Sequence, residues 1–328
     1  MKEILKEEEG NILVSPLAAE IILGLAQSGA KDNTAEEIRN GLFLPSSNRK
    51  TKTAFKTFFS LLDASKPSIL KTANKIYVKK NVQIKSQFKE VAEDIYRAKV
   101  ENIDFSKEDD AVDEINYWVR WNTDELIDGV IDADTLNNQT SLLLINSLYF
   151  KGNWLYSFEL TSSKKQPFYK TNGEVVQVET ISVTQIKVGY YESSELKAKF
   201  LKLPFEGYEF FLIIVLPDEI EGLASIENYE QIFTPPKYRT EIMDITLPKF
   251  KLQKGINLKK ILKNFGVTTA FSNNEANFSR ISTGRNLKIS EVAQKVHFGI
   301  SESGSETVFT NIGLFALPPD TLESKEFI

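Results

Sequence analysis

Residues Ile300–Pro319 read ISESGSETVFTNIGLFALPP. Just before and into this stretch, Val296, Phe298 and Ile300 alternate with His297, Gly299 and Ser301, the period-two pattern of a strand. Small side chains follow at Ser303-Gly304-Ser305, where glycine permits a bend. Thr307, Val308, Phe309, Thr310 and Ile312 form a second strand-competent run of β-branched and aromatic residues. An apolar tip, Leu314-Phe315-Ala316-Leu317, is closed by Pro318-Pro319, which cannot continue a sheet interior. Local pattern alone favours an ordinary hairpin with a glycine turn. The same residues also describe a strand, a small-residue joint, a potential strand and an exposed apolar bait.

Outward from this stretch, composition narrows the choices. At 328 residues, 41% hydrophobic and 26% charged, the chain has the length of one large domain or two, and no linker-like shift in composition divides it. A net charge of -5 argues against a general nucleic-acid binder, which needs a basic face. No apolar run is long enough to span a bilayer, so no membrane partner is expected. The first ten residues, MKEILKEEEG, are too charged for a signal peptide. Cysteine is absent, which removes disulfides, thiolate catalysis and Cys-ligated metals. The compartment stays open between cytoplasmic and secreted; the sequons Asn138-Gln139-Thr140 and Asn277-Phe278-Ser279 lean weakly towards secretion.

The rest of the chain reads helix-rich first and strand-rich later. Ser15-Pro16 is a cap and first turn for a mostly buried helix formed by the apolar run to Ala26. Thr34-Ala35-Glu36-Glu37 has the form of a capping box for a second helix ending at Gly41. Helices are expected at Lys56–Ala64, Ser86–Ala98, Val112–Ile127 and Asn257–Phe265, and a strand with a turn at Lys75–Gln83. The continuous apolar run Ser141–Phe150 suits a central strand covered on both faces, followed by a turn at Lys151-Gly152-Asn153-Trp154. Further strands are expected at Phe210–Leu216 and Glu241–Leu252. Without regular βα alternation or repeats, the pattern indicates α+β with a large mixed sheet.

Catalytic chemistry is sparse. Nucleophilic triads need an imidazole base, and the single histidine, His297, reads as structural. No G-x-S-x-G, P-loop, H-E-x-x-H or G-x-G-x-x-G occurs. Asp132 and Asp134 lack the glycine and terminal Glu of a calcium loop, and no carboxylate pair stands out for glycosidase work. No catalytic residue, metal or cofactor is assigned, and no enzyme is expected. Arg49, Lys50, Lys52 and Lys56 read as solvated surface rather than a glycosaminoglycan site.

Several segments together resemble the serpin family, and the likeness spans nearly the whole chain. Asn11-Ile12-Leu13-Val14-Ser15-Pro16-Leu17 resembles the start of the family's B helix. Asn116-x-Trp118-Val119 with Thr123 and Ile127 resembles its F helix. Asn146 with Tyr149-Phe150-Lys151-Gly152-x-Trp154 is similar to its most recognisable strand and turn, and Leu247-Pro248-Lys249-Phe250 to another strand. Glu302-x-Gly304-Ser305-Glu306 resembles the reactive-loop hinge.

The resemblance implies a fold of three β-sheets with eight or nine helices and an exposed reactive-centre loop. It implies one domain over 1–328, with the loop and hinge at 302–322, lacking the first part of the first helix and the last two core strands. The implied function is suicide inhibition: a protease cuts the loop, an acyl-enzyme forms, and the cut loop enters the main sheet as a strand. Glu302, Gly304, Ser305, Glu306 and Thr307 would form the hinge. Glu302 would pair with Lys249 near Trp154, where insertion begins; Ser15 and Asn146 would belong to the polar cluster beneath the sheet. Gln294 stands where the family usually has the His of that cluster, and an amide can still donate and accept.

The candidate scissile residues are Phe315, Leu317 and Pro318, and the apolar side chains suit a chymotrypsin-like serine protease or a papain-like cysteine protease. Strand alternation would turn positions 305, 307, 309 and 311 inward, where Phe309 is bulky and Asn311 needs a buried partner. A non-inhibitory serpin, serving as a carrier, storage or binding protein and cut as a substrate, is the alternative. A monomer is expected.

Overall fold

A computed structural model of the chain describes residues 10–64, 69–136, 140–158, 164–170, 173–219, 222, 237–282 and 287–316. The six-stranded sheet at its centre has the order β2 (Ala98–Ile103), β1 (Ile69–Lys79), β3 (Thr140–Asn153), β11 (Gly304–Ala316), β10 (Lys288–Ile300) and β9 (Phe250–Asn257). Only the β1–β2 pair is parallel; the other neighbours run antiparallel.

Beneath one face lies α1 (Pro16–Gly29), with α2 (Asp32–Gly41), α3 (Asn48–Ala64), α4 (Ser86–Asp94) and α6 (Lys259–Asn264) around it. Ser15 caps α1, its Oγ accepting from the Ala18 amide at 3.2 Å, and Pro16 supplies the first helical residue. The helix is buried nearly all round, so its apolar run is not a stripe: Ile21, Ile22, Leu23 and Leu25 are each 3% exposed or less. Across the other face lies α5 (Glu108–Asn122), which packs Ile115 and Val119 on the sheet. Three acids in its first turn and Arg120 in its last complement the helix dipole.

The second sheet runs β4 (Lys164–Tyr169), β5 (Val175–Ser193), β6 (Ala198–Pro204) and β7 (Phe211–Pro217), with β8 (Arg239–Pro248) also on β5. The described residues thus make two sheets and six α-helices, where the resemblance implied three sheets and more helices. One reason is the 19-residue β5. It pairs with β4 at its start, β8 along its middle and β6 at its end, fusing two groups of strands into one hydrogen-bonded sheet.

Other expectations shift for identifiable reasons. Thr34 and Glu37 do not box a helix start, since α2 begins at Asp32. Instead Glu37 accepts from the Thr268 and Thr269 amides and Thr34 Oγ1 from the Asn277 amide, tying α2 to a distant loop. Glu241–Leu252 is two strands divided at Lys249. The expected turn at 151–154 is strand through Asn153, because Asn153 has a partner across the ladder in Gly304.

Candidate functional site

Of Ile300–Pro319, the described residues Gly304–Ala316 lie inside the main sheet. Gly304–Ala316 is a 13-residue strand, paired with β3 from Gly304↔Asn153 to Ala316↔Thr140 and with β10 from Ser305↔Ile300 to Ala316↔Lys288. Over its described residues, Gly304–Ala316, the loop implied by the resemblance is a strand of the sheet and not an exposed segment. With β10 it forms the glycine-turn hairpin that local pattern favoured. The turn closes through Ser301 N–H to Gly304 O at 2.9 Å and Gly304 N–H to Ser301 O at 3.3 Å.

At this turn the requirement for glycine is steric. A Cβ on Gly304 would sit 2.0 Å from the backbone oxygen of Gly152, which cannot move without disturbing β3. Around the turn, the Trp154 amide donates to Ser303 O at 3.1 Å and its indole Nε1 to Ser301 O at 2.9 Å. The indole stacks on Phe205 with centroids 4.7 Å apart. Lys249 Nζ donates to Glu302 Oε1 at 3.0 Å, with the Glu302 side chain 10% exposed.

Ser305 is buried and donates from Oγ to Gly299 O at 3.1 Å. Ser305 and Thr307 line an apolar cavity of ≈ 430 Å³ on the α1 side, shared with Leu148, Phe150, Phe205 and Val296. The opposite face is just as closed. Val308, Ile312 and Leu314 are 0–4% exposed and pack in the cluster under α5. Turning only the odd positions inward was thus half the pattern: with α5 over the sheet, a central strand has no solvent face. Phe315 is fully buried on the α1 side, edge-on to Phe278 at 5.0 Å. Leu317 and Pro318 lie outside the described residues, as do the side chains of Phe309 and Asn311.

Halfway along the sheet, register aligns four amide residues on adjacent strands: Asn74 (β1), Asn146 (β3), Asn311 (β11) and Gln294 (β10). Asn146 Nδ2 donates to Asn74 Oδ1 at 2.7 Å, and Asn74 in turn to the Tyr96 carbonyl. Gln294 clasps the start of α1, accepting from Ser15 N–H at 2.8 Å and donating to Ser15 O at 3.0 Å. Asn74 was not singled out by sequence, although an amide inside a strand otherwise rich in apolar residues is the signal that marks it.

Tyr149 and Lys151 were also missed as site residues, although both stand in the quoted strand motif. Tyr149 Oη donates to Glu306 Oε1 at 2.7 Å, and Lys151 Nζ lies 3.4 Å from the same oxygen. Burial, with the Glu306 bond and charge, pushes the phenol well above its ordinary pKa. His297 lines a neighbouring ≈ 180 Å³ cavity with Lys151, Lys251 and Glu306. Burial and the Lys251 charge lower its pKa, against an opposing pull from Glu306. No nucleophile is hydrogen-bonded to it among the described contacts, as a triad would require.

Comparison with known proteins gives a consistent picture. The family model Serpin (serine protease inhibitor) matches residues 1–321. Serpin B8 of Bos taurus is 33% identical over 305 residues, covering 90% of this chain and 80% of its own. Antichymotrypsin-2 of Bombyx mori is 32% identical, over 94% and 83% respectively. Among solved structures, Serpin48 of Tenebrio molitor superposes with a TM-score of 0.86 at 37% identity, covering 96% of this chain and 93% of that one. Cleaved Serpin 42Da superposes with a TM-score of 0.90 at 26% identity, over 96% and 86%. Ovalbumin from emu, Dromaius novaehollandiae, also reaches 0.90 at 26% identity, over 97% and 86%.

Proposed function

The chain belongs to the serpin family, and on that premise we propose that it is a suicide inhibitor of endopeptidases with apolar specificity. In this reading a protease serine or cysteine attacks a carbonyl near Phe315, Leu317 or Pro318. The new amine leaves and an acyl-enzyme ester or thioester remains. The freed segment then enters between β3 and β10 and carries the bound protease with it before water can deacylate it. Insertion is strand addition within one molecule. Each ladder bond contributes on the order of 1 kcal/mol, and apolar burial on both faces adds to it.

The observation that carries the reading is the fit of Gly304–Ala316 as a central strand, in register with both neighbours and buried on both faces. Glu302, Gly304, Ser305, Glu306 and Thr307 are assigned as the hinge. Lys249 and Trp154 are assigned to the entry point, and Ser15, Asn146 and Gln294 to the polar row that steadies the strands on either side. Leu314–Leu317 contains no Arg or Lys, which favours chymotrypsin-like or papain-like targets. Relatives named antichymotrypsin and antitrypsin match almost equally well, so the target class rests on those side chains and not on likeness.

Incubation with chymotrypsin tests the proposal: an SDS-stable complex is expected. With papain, whose thioester is labile, loss of residual activity is the readout. Ser305→Arg places a long cation at a site that is 3% exposed and is expected to convert the inhibitor into a substrate. Undiminished inhibition by that variant overturns loop insertion.

A second reading, a non-inhibitory carrier, storage or binding protein, draws on bulk at Phe309 and the polar Asn311 in the inserting stretch. The emu ovalbumin likeness is compatible with it. Clean cleavage that leaves the protease fully active favours this second reading.

A further inference from the structure

We propose that Glu306 is a positioning residue for strand entry: its carboxylate docks on Tyr149 and Lys151 of β3 and fixes the register in which β11 inserts. The inference rests on the insertion reading above and names a side-chain device within it. Three observations converge. Glu306 stands directly opposite Lys151 across the ladder, an opposite-charge pair with N···O 3.4 Å. The same oxygen accepts the Tyr149 hydroxyl at 2.7 Å, and Tyr149 is only 4% exposed. The hydroxyl also lies 3.3 Å from Asp124 Oδ2, in the turn after α5.

A phenol has one proton, so the shorter contact to Glu306 takes it. Two carboxylates then flank one oxygen, and the Lys151 ammonium offsets part of their charge.

Register follows from position. A slip of one residue would swap the faces of β11. A slip of two keeps the faces, but brings Glu302 or Glu306 opposite Asn153, where Gly304 alone leaves room beside Gly152. Glycine excludes the wrong registers sterically, and Glu306 rewards the correct one electrostatically. Glu306 is the third residue of β11, so its bonds form before Val308, Ile312 and Leu314 pass beneath α5.

The test is a double-mutant cycle of Tyr149→Phe and Glu306→Ala, measured by denaturant unfolding of both the uncut and the protease-cut protein. In the cut form the two substitutions are expected to be non-additive, with a coupling of about tenfold in the unfolding equilibrium, the size of a hydrogen bond to a charged group. In the uncut form they are expected to add. Each single variant should raise the stoichiometry of inhibition by roughly threefold. Glu306→Gln, which keeps an acceptor for Tyr149, should restore part of the loss. Additivity in the cut form, or a stoichiometry equal to the parent's, overturns the role of Glu306. If the parent itself gains no stability on cutting and traps no protease, the insertion reading falls instead, so the two failures are told apart by the parent alone.

Discussion

The two faces of the six-stranded sheet are built to different rules. Under the α1 face, the buried cluster holds thirty-one described apolar residues, of which β11 supplies Phe315 alone. Under α5, the cluster holds fifteen, and β11 supplies three of them, Val308, Ile312 and Leu314. One face is therefore a core drawn from the whole chain, into which β11 dips at its end. The other is a thin layer that owes a fifth of its buried members to that single strand. In a protein whose function is proposed to turn on adding β11, the α5 face is where most of the apolar difference between the two states should be found.

Phe278→Ala is expected to produce the largest effect. It removes a ring that is 1% exposed and packed against Phe315, at a cost of roughly 3–5 kcal/mol. If the α1 face is a standing core, most of that loss appears in cut and uncut protein alike when both are unfolded in denaturant. Ile312→Ala removes a side chain from the α5 cluster, and about 2–5 kcal/mol is expected, but in the cut form alone. Equal losses in both forms would erase the distinction between the faces.

That distinction was only partly legible in sequence. Ser141–Phe150 announced a strand buried on both sides, since it has no polar alternation. The Ser15-Pro16 helix start was equally clear, because capping is local chemistry. Val308–Leu314 did not announce itself in the same way. Its Thr and Asn residues break the apolar run, so a reading by alternation assigned one face to the interior and overlooked the helix covering the other. The Thr34–Glu37 pattern misled for a related reason: side chains able to cap a helix were taken up by the Thr268–Thr269 turn more than 230 positions away. The candidate site was readable as motifs around Glu302, Gly304 and Trp154. Its partners Tyr149 and Asn74 depend on cross-strand register, which no local window contains.

A smaller effect separates the strands flanking β11. Each is moored outward by an amide: β3 to β1 through Asn146 and Asn74, β10 to α1 through Gln294 and Ser15. Gln294→Ala leaves the Ser15 N–H without its described acceptor in a buried place. Roughly 1–3 kcal/mol of destabilisation follows, expected in cut and uncut protein because the clasp does not involve β11. A loss confined to the cut form would mean that the polar row acts as one unit with the inserted strand.

The smallest expected effect belongs to the pair at the entry point. Lys249 is 37% exposed and Glu302 10%, so water screens much of the attraction, and Lys249→Ala should cost at most about 1 kcal/mol of stability. Its influence on partition should be larger than that figure suggests. Glu302 lies within the turn, between Ser301 and Ser303, whose carbonyls bind Trp154, so losing the pair loosens the pivot and not the strand. The expected signature is a modest fall in melting temperature with a clear rise in the stoichiometry of inhibition against chymotrypsin. If stability and stoichiometry move in simple proportion, the pair contributes to the fold alone, and the entry point is set by Gly304 and Gly152 without it.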